Sequence, residues 1–135
     1  MVEKIDVITH KERELVNITS EVRRIVEKSK IKHGIIILYV PHTTAALIIN
    51  EGADPAVKDD ILDTLSYLIP RNKNYKHLEG NADAHIQSSI IGCEKIIFIE
   101  DANLILGRWQ AIFFAEFDGP REREMYIKII DTSKR

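Results

Sequence analysis

Apolar positions along the chain come in short runs rich in β-branched residues, separated by polar turns. Residues 34–40 and 44–50 are almost continuously apolar, which predicts strands covered on both faces. Residues 5–9 and 15–18 predict two shorter strands around the charged turn 10–14. Thr19 is placed to cap a first helix, Glu21 suits its positive end, and Val22, Ile25 and Val26 share one face before Gly34 stops it. Asp54-Pro55 opens the clearest helix, with Asp54 as cap and Pro55 where a missing N–H costs little. Its apolar stripe is Val57, Ile61, Leu65, Leu68 and Ile69, and Pro70 closes it. A polar loop over 71–81 leads to a shorter helix over 83–91, ended by Gly92. Strands over 95–100, 108–117 and 124–130 finish the chain, the last two joined by a hairpin turn at Asp118-Gly119-Pro120-Arg121.

The resulting order, ββαββααβββ, does not alternate helix with strand, so the class is α+β rather than doubly wound. At 135 residues the chain is expected to be one domain, 1–135. It has more apolar strand than its helices can cover. Two facing sheets would bury the excess, and so would a partner chain.

Composition narrows the function classes. With 44% hydrophobic and 30% charged residues the chain reads as globular, not disordered. A net charge of −2 with dispersed Lys and Arg argues against a nucleic-acid partner, and the basic cluster from Arg23 to Lys32 reads as a solvated helix face. The single cysteine, Cys93, allows no intramolecular disulfide and reads as a buried thiol. The first residues, Met1-Val2-Glu3-Lys4-Ile5-Asp6, lack an apolar signal core, and no run nears the ~20 residues of a membrane span. A cytoplasmic protein without a membrane partner is the expectation.

Candidate chemistry gathers in two His-bearing stretches, Pro41-His42-Thr43-Thr44 and the segment from His77 to His85. His42 follows a strand and a proline. Alone, it reads as a hydrogen-bonded strand-end histidine. With His77 from a loop and His85 from a helix, it describes three imidazoles able to hold zinc with one position open. Asp83 and Glu79 are close enough in sequence to orient a ring or move a proton. His10 and His33 sit in charged turns and read as exposed. Ser88 and Ser89 lie in no nucleophile elbow and read as helix-surface or cap residues. Trp109 is either core or a stacking platform, with Gln110 facing the other side of the sheet. Arg121 and Arg123 at the turn offer bidentate phosphate contacts, against the default of a solvated turn.

The segments PHTTAALIINE at 41–51, HLEGNADAHIQSS at 77–89, LGRWQ at 106–110 and EFDGPRER at 116–123 resemble the YjbQ family in content and order. The resemblance implies a two-sheet β-sandwich with two to three helices, assembled as a homotrimer. It also implies a metal pocket on the histidines matching His42, His77 and His85, and an enzyme of secondary thiamine-phosphate synthase type. Two positions depart from the family pattern. Arg108 stands where Thr is usual, and Ala102 where Gly is usual.

The expectation is then a transferase joining hydroxymethylpyrimidine diphosphate to a thiazole phosphate. A divalent metal, zinc by its imidazole ligands or Mg²⁺ by its diphosphate substrate, would neutralise the leaving pyrophosphate. Arg121 or Arg108 would assist it, and Asp83 or Glu51 would orient a ligand or move a proton. Thr43, Thr44, Asn50, Arg108, Gln110 and Arg123 are the expected contacts to the phosphorylated small molecule. Zinc-dependent hydrolysis of a phosphorylated or amide-like molecule is the second reading. A non-catalytic metal-binding trimer is the third.

Overall fold

Eight strands and three helices follow one another as β1 (Glu3–Ile8), β2 (Glu14–Asn17), α1 (Thr19–Ser29), β3 (Gly34–Tyr39), β4 (Ala45–Glu51), α2 (Pro55–Leu68), α3 (Ala82–Ile91), β5 (Glu94–Glu100), β6 (Asn103–Leu104), β7 (Gln110–Glu116) and β8 (Glu122–Asp131). They are seen in a computed structural model that describes residues 2–133. One sheet has the order β1-β8-β3-β5-β6 and the other β2-β7-β4, every pair antiparallel.

The sheets face each other. Ile36, Leu38, Ile97, Met125 and Ile127 of the larger sheet meet Ala45, Leu47, Ile112 and Phe114 of the smaller, with Val22 and Val26 of α1 closing one side. A second core lies behind the smaller sheet, where Ile48, Phe113 and Ala115 pack on Ile61, Leu62 and Leu65 of α2 and on Ala84 and Ile91 of α3. The continuously apolar β4 is thus covered on both faces, and the class is α+β as its pattern implied. The outer face of the larger sheet has no such cover. Tyr39, Ile96, Phe98 and Ile130 are exposed there beside Ile35 and Ile37, in register across β3, β5 and β8. No helix of the described residues is long and apolar enough to cross a membrane.

Several local expectations need correction. Asp54 does cap α2, accepting from Ala56 N at 2.9 Å. Thr19 does not cap α1; Asn17 Oδ1 accepts from Thr19 N, and the Thr19 hydroxyl accepts from Ile112 N, tying α1 to β7. Nor does Gly34 end α1, which stops at Ser29 with Lys30 in the left-handed region. Gly34 opens β3, where a Cβ would lie 2.3 Å from Ile130 O. The stripe of α2 is narrower than its sequence suggests, because Leu68 is 66% exposed and only Ile61, Leu62 and Leu65 reach the second core. The segment Asp118–Arg121 makes no hairpin. β7 belongs to the smaller sheet and β8 to the larger, so the chain crosses between sheets there, with a cis Gly119–Pro120 bond. A Cβ on Gly119 would come within 2.3 Å of Lys11 O, so this crossing needs glycine.

Candidate functional site

Pro41 has no N–H, so the β3–β8 ladder ends just after the Tyr39–Tyr126 pair. The ring of His42 takes the vacated place on β8, with Nε2 at 3.1 Å from both the N and the O of Glu124. Donation of Nε2–H to Glu124 O leaves the Nδ1 lone pair free; acceptance from Glu124 N–H puts the proton on Nδ1. Burial and then the Arg123 charge push the His42 pKa down, so the neutral ring is favoured near neutral pH.

His77 is fixed by a relay. Asn81 Nδ2 donates to Asp118 Oδ2 at 2.9 Å, which turns Asn81 Oδ1 toward His77, and His77 Nε2–H donates to it at 2.9 Å. The neutral His77 ring therefore carries its free lone pair on Nδ1. His85, on the first turns of α3, meets His77 edge to face with ring centroids 5.2 Å apart.

His42, His77 and His85 line one cavity of about 410 Å³, together with Thr43, Thr44, Glu79, Asn81, Arg121 and Arg123. His42, Thr43 and His85 also wall a second cavity of about 460 Å³, which runs along α3 to Ser88, Cys93 and Glu94. The three imidazoles share a cavity without their nitrogens being drawn within 4.8 Å of one another; among the described residues, His33, Glu100 and Asp101 meet that spacing. The donor chemistry fits a metal all the same. Two of the three rings have an outer partner at Nε2, the usual device for orienting a ligating imidazole.

Behind the cavity lies a charge network that the sequence did not announce. Glu116 is fully buried and accepts from Arg123 Nε at 2.8 Å, from Arg123 Nη2, from Thr9 Oγ1 at 2.7 Å and from Asp118 N at 3.0 Å. Burial alone would push its carboxyl up, but these hydrogen bonds and the Arg123 charge hold it below the ordinary carboxylate value. Asp118 is held low in the same way, burial being outweighed by Asn81 and Arg121. A carboxylate ending an otherwise apolar strand, Gln-Ala-Ile-Phe-Phe-Ala-Glu, was the available signal.

The expected site residues divide sharply. Thr43 reaches both cavities, and Arg121 stands half-exposed at the first, donating to Asp118. Arg123 is no turn-tip phosphate ligand. It is 6% exposed, with its Nε and Nη2 directed to Glu116 and Thr44. Asp83 is fully buried and both its oxygens face Arg13 and Arg71, which makes it a brace for α3. Asn50, Glu51, Arg108 and Gln110 lie at the opposite end of the smaller sheet, where Glu51 pairs with Gln110, whereas the cavity lies at the Ala45–Glu116 end. At ~3.4 Å per residue that separation is about 20 Å. There Trp109 is 58% exposed and covered by Arg108 at 5.0 Å, so it is not core.

Two lesser expectations also change. Cys93 is only partly buried and donates to Glu94 Oε2 at 3.1 Å; that bond and then burial raise its pKa, so the thiolate is disfavoured. His33 keeps a side chain about 41% exposed, as expected, but its Nδ1 also lies 2.7 Å from Glu100 Oε1.

Residues 3–132 match the model of the family described as UPF0047 protein YjbQ-like. A UPF0047 protein of Methanocaldococcus jannaschii is 57% identical over 130 residues, covering 96% of this chain and 94% of that protein. YugU of Bacillus subtilis, also a UPF0047 protein, is 42% identical over 131 residues, covering 96% and 99%. Among solved structures, a YjbQ/UPF0047 protein of Clostridium acetobutylicum superposes with a TM-score of 0.93 at 43% identity, covering 95% and 99% of the two chains. A YbjQ-like protein of unknown function from Sulfolobus solfataricus gives 0.92 at 38%, covering 96% and 95%.

These relatives overturn the expected activity. They carry a family designation or the words "unknown function", and none is described as a thiamine-phosphate synthase, a metal-dependent enzyme or a hydrolase. Thiamine-phosphate synthesis and zinc-dependent hydrolysis are therefore withdrawn as the activity of this chain.

Proposed function

The chain belongs to the YjbQ/UPF0047 family, and we propose that it binds a small phosphorylated molecule beside a divalent metal ion held by His42, His77 and His85. The observation that carries this reading is the Asp118–Asn81–His77 relay, which spends two side chains on turning one imidazole nitrogen free. A ligating imidazole almost always donates its other ring N–H to such a partner, which holds its tautomer and orientation. Neutral imidazoles favour zinc over Mg²⁺, which prefers oxygen ligands in octahedral array. A bound zinc would supply a Lewis-acid centre for an anionic group. The chain's own part is to hold the rings, through Glu124 and Asn81, and to offer Arg121 at the mouth.

The uncovered apolar face of the larger sheet supports the further reading that copies of the chain pack there, as the trimer of the family resemblance would require. Light scattering that finds a monomer at micromolar concentration would reject it. With one cysteine, the chain suits the reducing cytoplasm.

The test is calorimetric titration of metal-stripped protein with Zn²⁺. One ion per chain is expected. His77→Ala or His85→Ala should weaken binding by more than the roughly 100-fold that loss of an outer partner costs. Equal affinity in all three single His→Ala variants would reject the site.

A further inference from the structure

α3 begins without the side-chain cap that its sequence offers. Asn81 stands at the N-cap position, where an Asn side chain ordinarily accepts from the first turn, yet it makes no such bond. Its amide is spent elsewhere, with Nδ2 donating to Asp118 and Oδ1 accepting from His77. The first turn of the helix that carries His85 is anchored instead through Asp83, which is fully buried.

Two arginines meet Asp83, and they differ in what else they touch. Arg13 Nη2 bonds Asp83 and its Nη1 bonds Gln87 at 2.6 Å, so both of its partners lie in α3. Arg71 Nε lies 3.4 Å from both Asp83 oxygens, while its Nη1 bonds Glu12. Arg71 is also the root of the largely exposed segment that carries His77. Asp118 feels its charge: burial pushes that carboxyl up, and Asn81, Arg121 and then Arg71 outweigh it. One guanidinium thus acts on the carboxylate that turns Asn81 toward His77 and on the carboxylate that anchors the helix of His85.

We propose that Arg71 is a positioning residue for the metal site: its guanidinium ties the root of the His77 segment to the first turn of the His85 helix and so fixes the two rings relative to each other. This rests on the metal reading given above and adds to it a residue outside the walls of both cavities.

Arg71→Ala tests it. Arg13 still meets Asp83 there, and the buried, unpaired Nη2 of Arg71 leaves with the side chain, so the variant should stay folded at room temperature. Calorimetric titration with Zn²⁺ should show its affinity lowered by about tenfold or more, as for loss of an outer partner. Arg71→Lys, which keeps the charge but can serve only one carboxylate at a time, should lose less. Lys73→Ala, in the same exposed segment, should bind as the wild type does. In nitrogen-15 spectra of the metal-free protein at about pH 8, His77 should be the Nε2–H tautomer in the wild type and a mixture in Arg71→Ala.

A residue that only supports the fold would lower the melting temperature and leave Zn²⁺ affinity alone, because nearly every chain is folded during the titration. Affinity within about twofold of the wild type, or a His77 ring that keeps one tautomer, overturns the coupling while the metal site stands. If the wild type binds no Zn²⁺, the metal reading falls and takes this proposal with it.

Discussion

The two ends of the smaller sheet hold similar inventories of polar side chains and use them differently. At the Trp109 end most polar groups bond backbone close by in sequence: Asn50 Oδ1 accepts from Glu51 N, Glu51 Oε2 from Ala53 N and Gln110 Oε1 from Gly107 N, while Thr19 Oγ1 accepts from the distant Ile112 N. At the histidine end more of the partners lie far apart in sequence, as with His42 and Glu124, Thr9 and Glu116, or Asn81 and Asp118, although His77 and Asn81 are only four residues apart. Local bonds shape a turn and leave nothing directed at a ligand. Long-range bonds clamp several segments around one space, and that space is the cavity. A polar motif is the better site candidate when several of its groups are tied to distant segments around one space, as Asn81 is to Asp118 and His42 to Glu124.

The largest effect should come from removing the clamp. Arg123→Ala leaves Glu116 buried and unpaired, and should cost about 3–5 kcal/mol by chemical denaturation. Arg108→Ala, at the other end, should stay within about 0.5 kcal/mol. Comparable losses would erase the distinction between the ends.

Acid probes the same clamp without mutation. The folded-state pKa values of Glu116 and Asp118 are depressed, so the unfolded chain takes up protons first as pH falls. Their stabilisation is complete above the ordinary values of 4.5 and 3.8 and is lost as pH drops through the lower folded values. Melting temperature measured from pH 6 to 3 should decline below about 4.5, and Glu116→Gln should flatten much of that slope. A wild-type curve with no decline would contradict the network.

A finer cut separates orientation from ligation. Asn81→Ala frees His77 Nε2 without removing any imidazole, and should weaken Zn²⁺ binding by about 10–100-fold. Glu51→Gln and Asn50→Ala, at the far end, should leave it unchanged. Any loss in those two would mean that the ends communicate.

Much of this fold is legible in the chain because its signals are local. The β-branched run of β4, the Asp54-Pro55 start of α2 and the Gly92 stop of α3 each depend on neighbours within one turn. The crossing at Asp118–Arg121 was misread as a hairpin for the same reason. Turn chemistry reports that the chain bends, while the sheet each flank joins is settled by partners such as Glu3–Ile8, more than 100 residues away. The three histidines stood out because they fall in two short stretches, 41–44 just after an apolar strand and 77–85 leading into a helix, where polar groups gather. Asp83 looked equivalent to them, and only the arrival of Arg13 and Arg71 from other segments shows its charge to be consumed in bracing. Arg123 was misplaced likewise, since nothing adjacent in sequence reveals that Glu116 waits for it inside.

The most direct measurement is an anomalous difference map at the zinc edge from crystals grown with one equivalent of Zn²⁺. We expect a single strong peak bounded by His42, His77 and His85. A peak confined to His33, Glu100 and Asp101, or none in the histidine cavity, would contradict the metal site on which the functional reading stands.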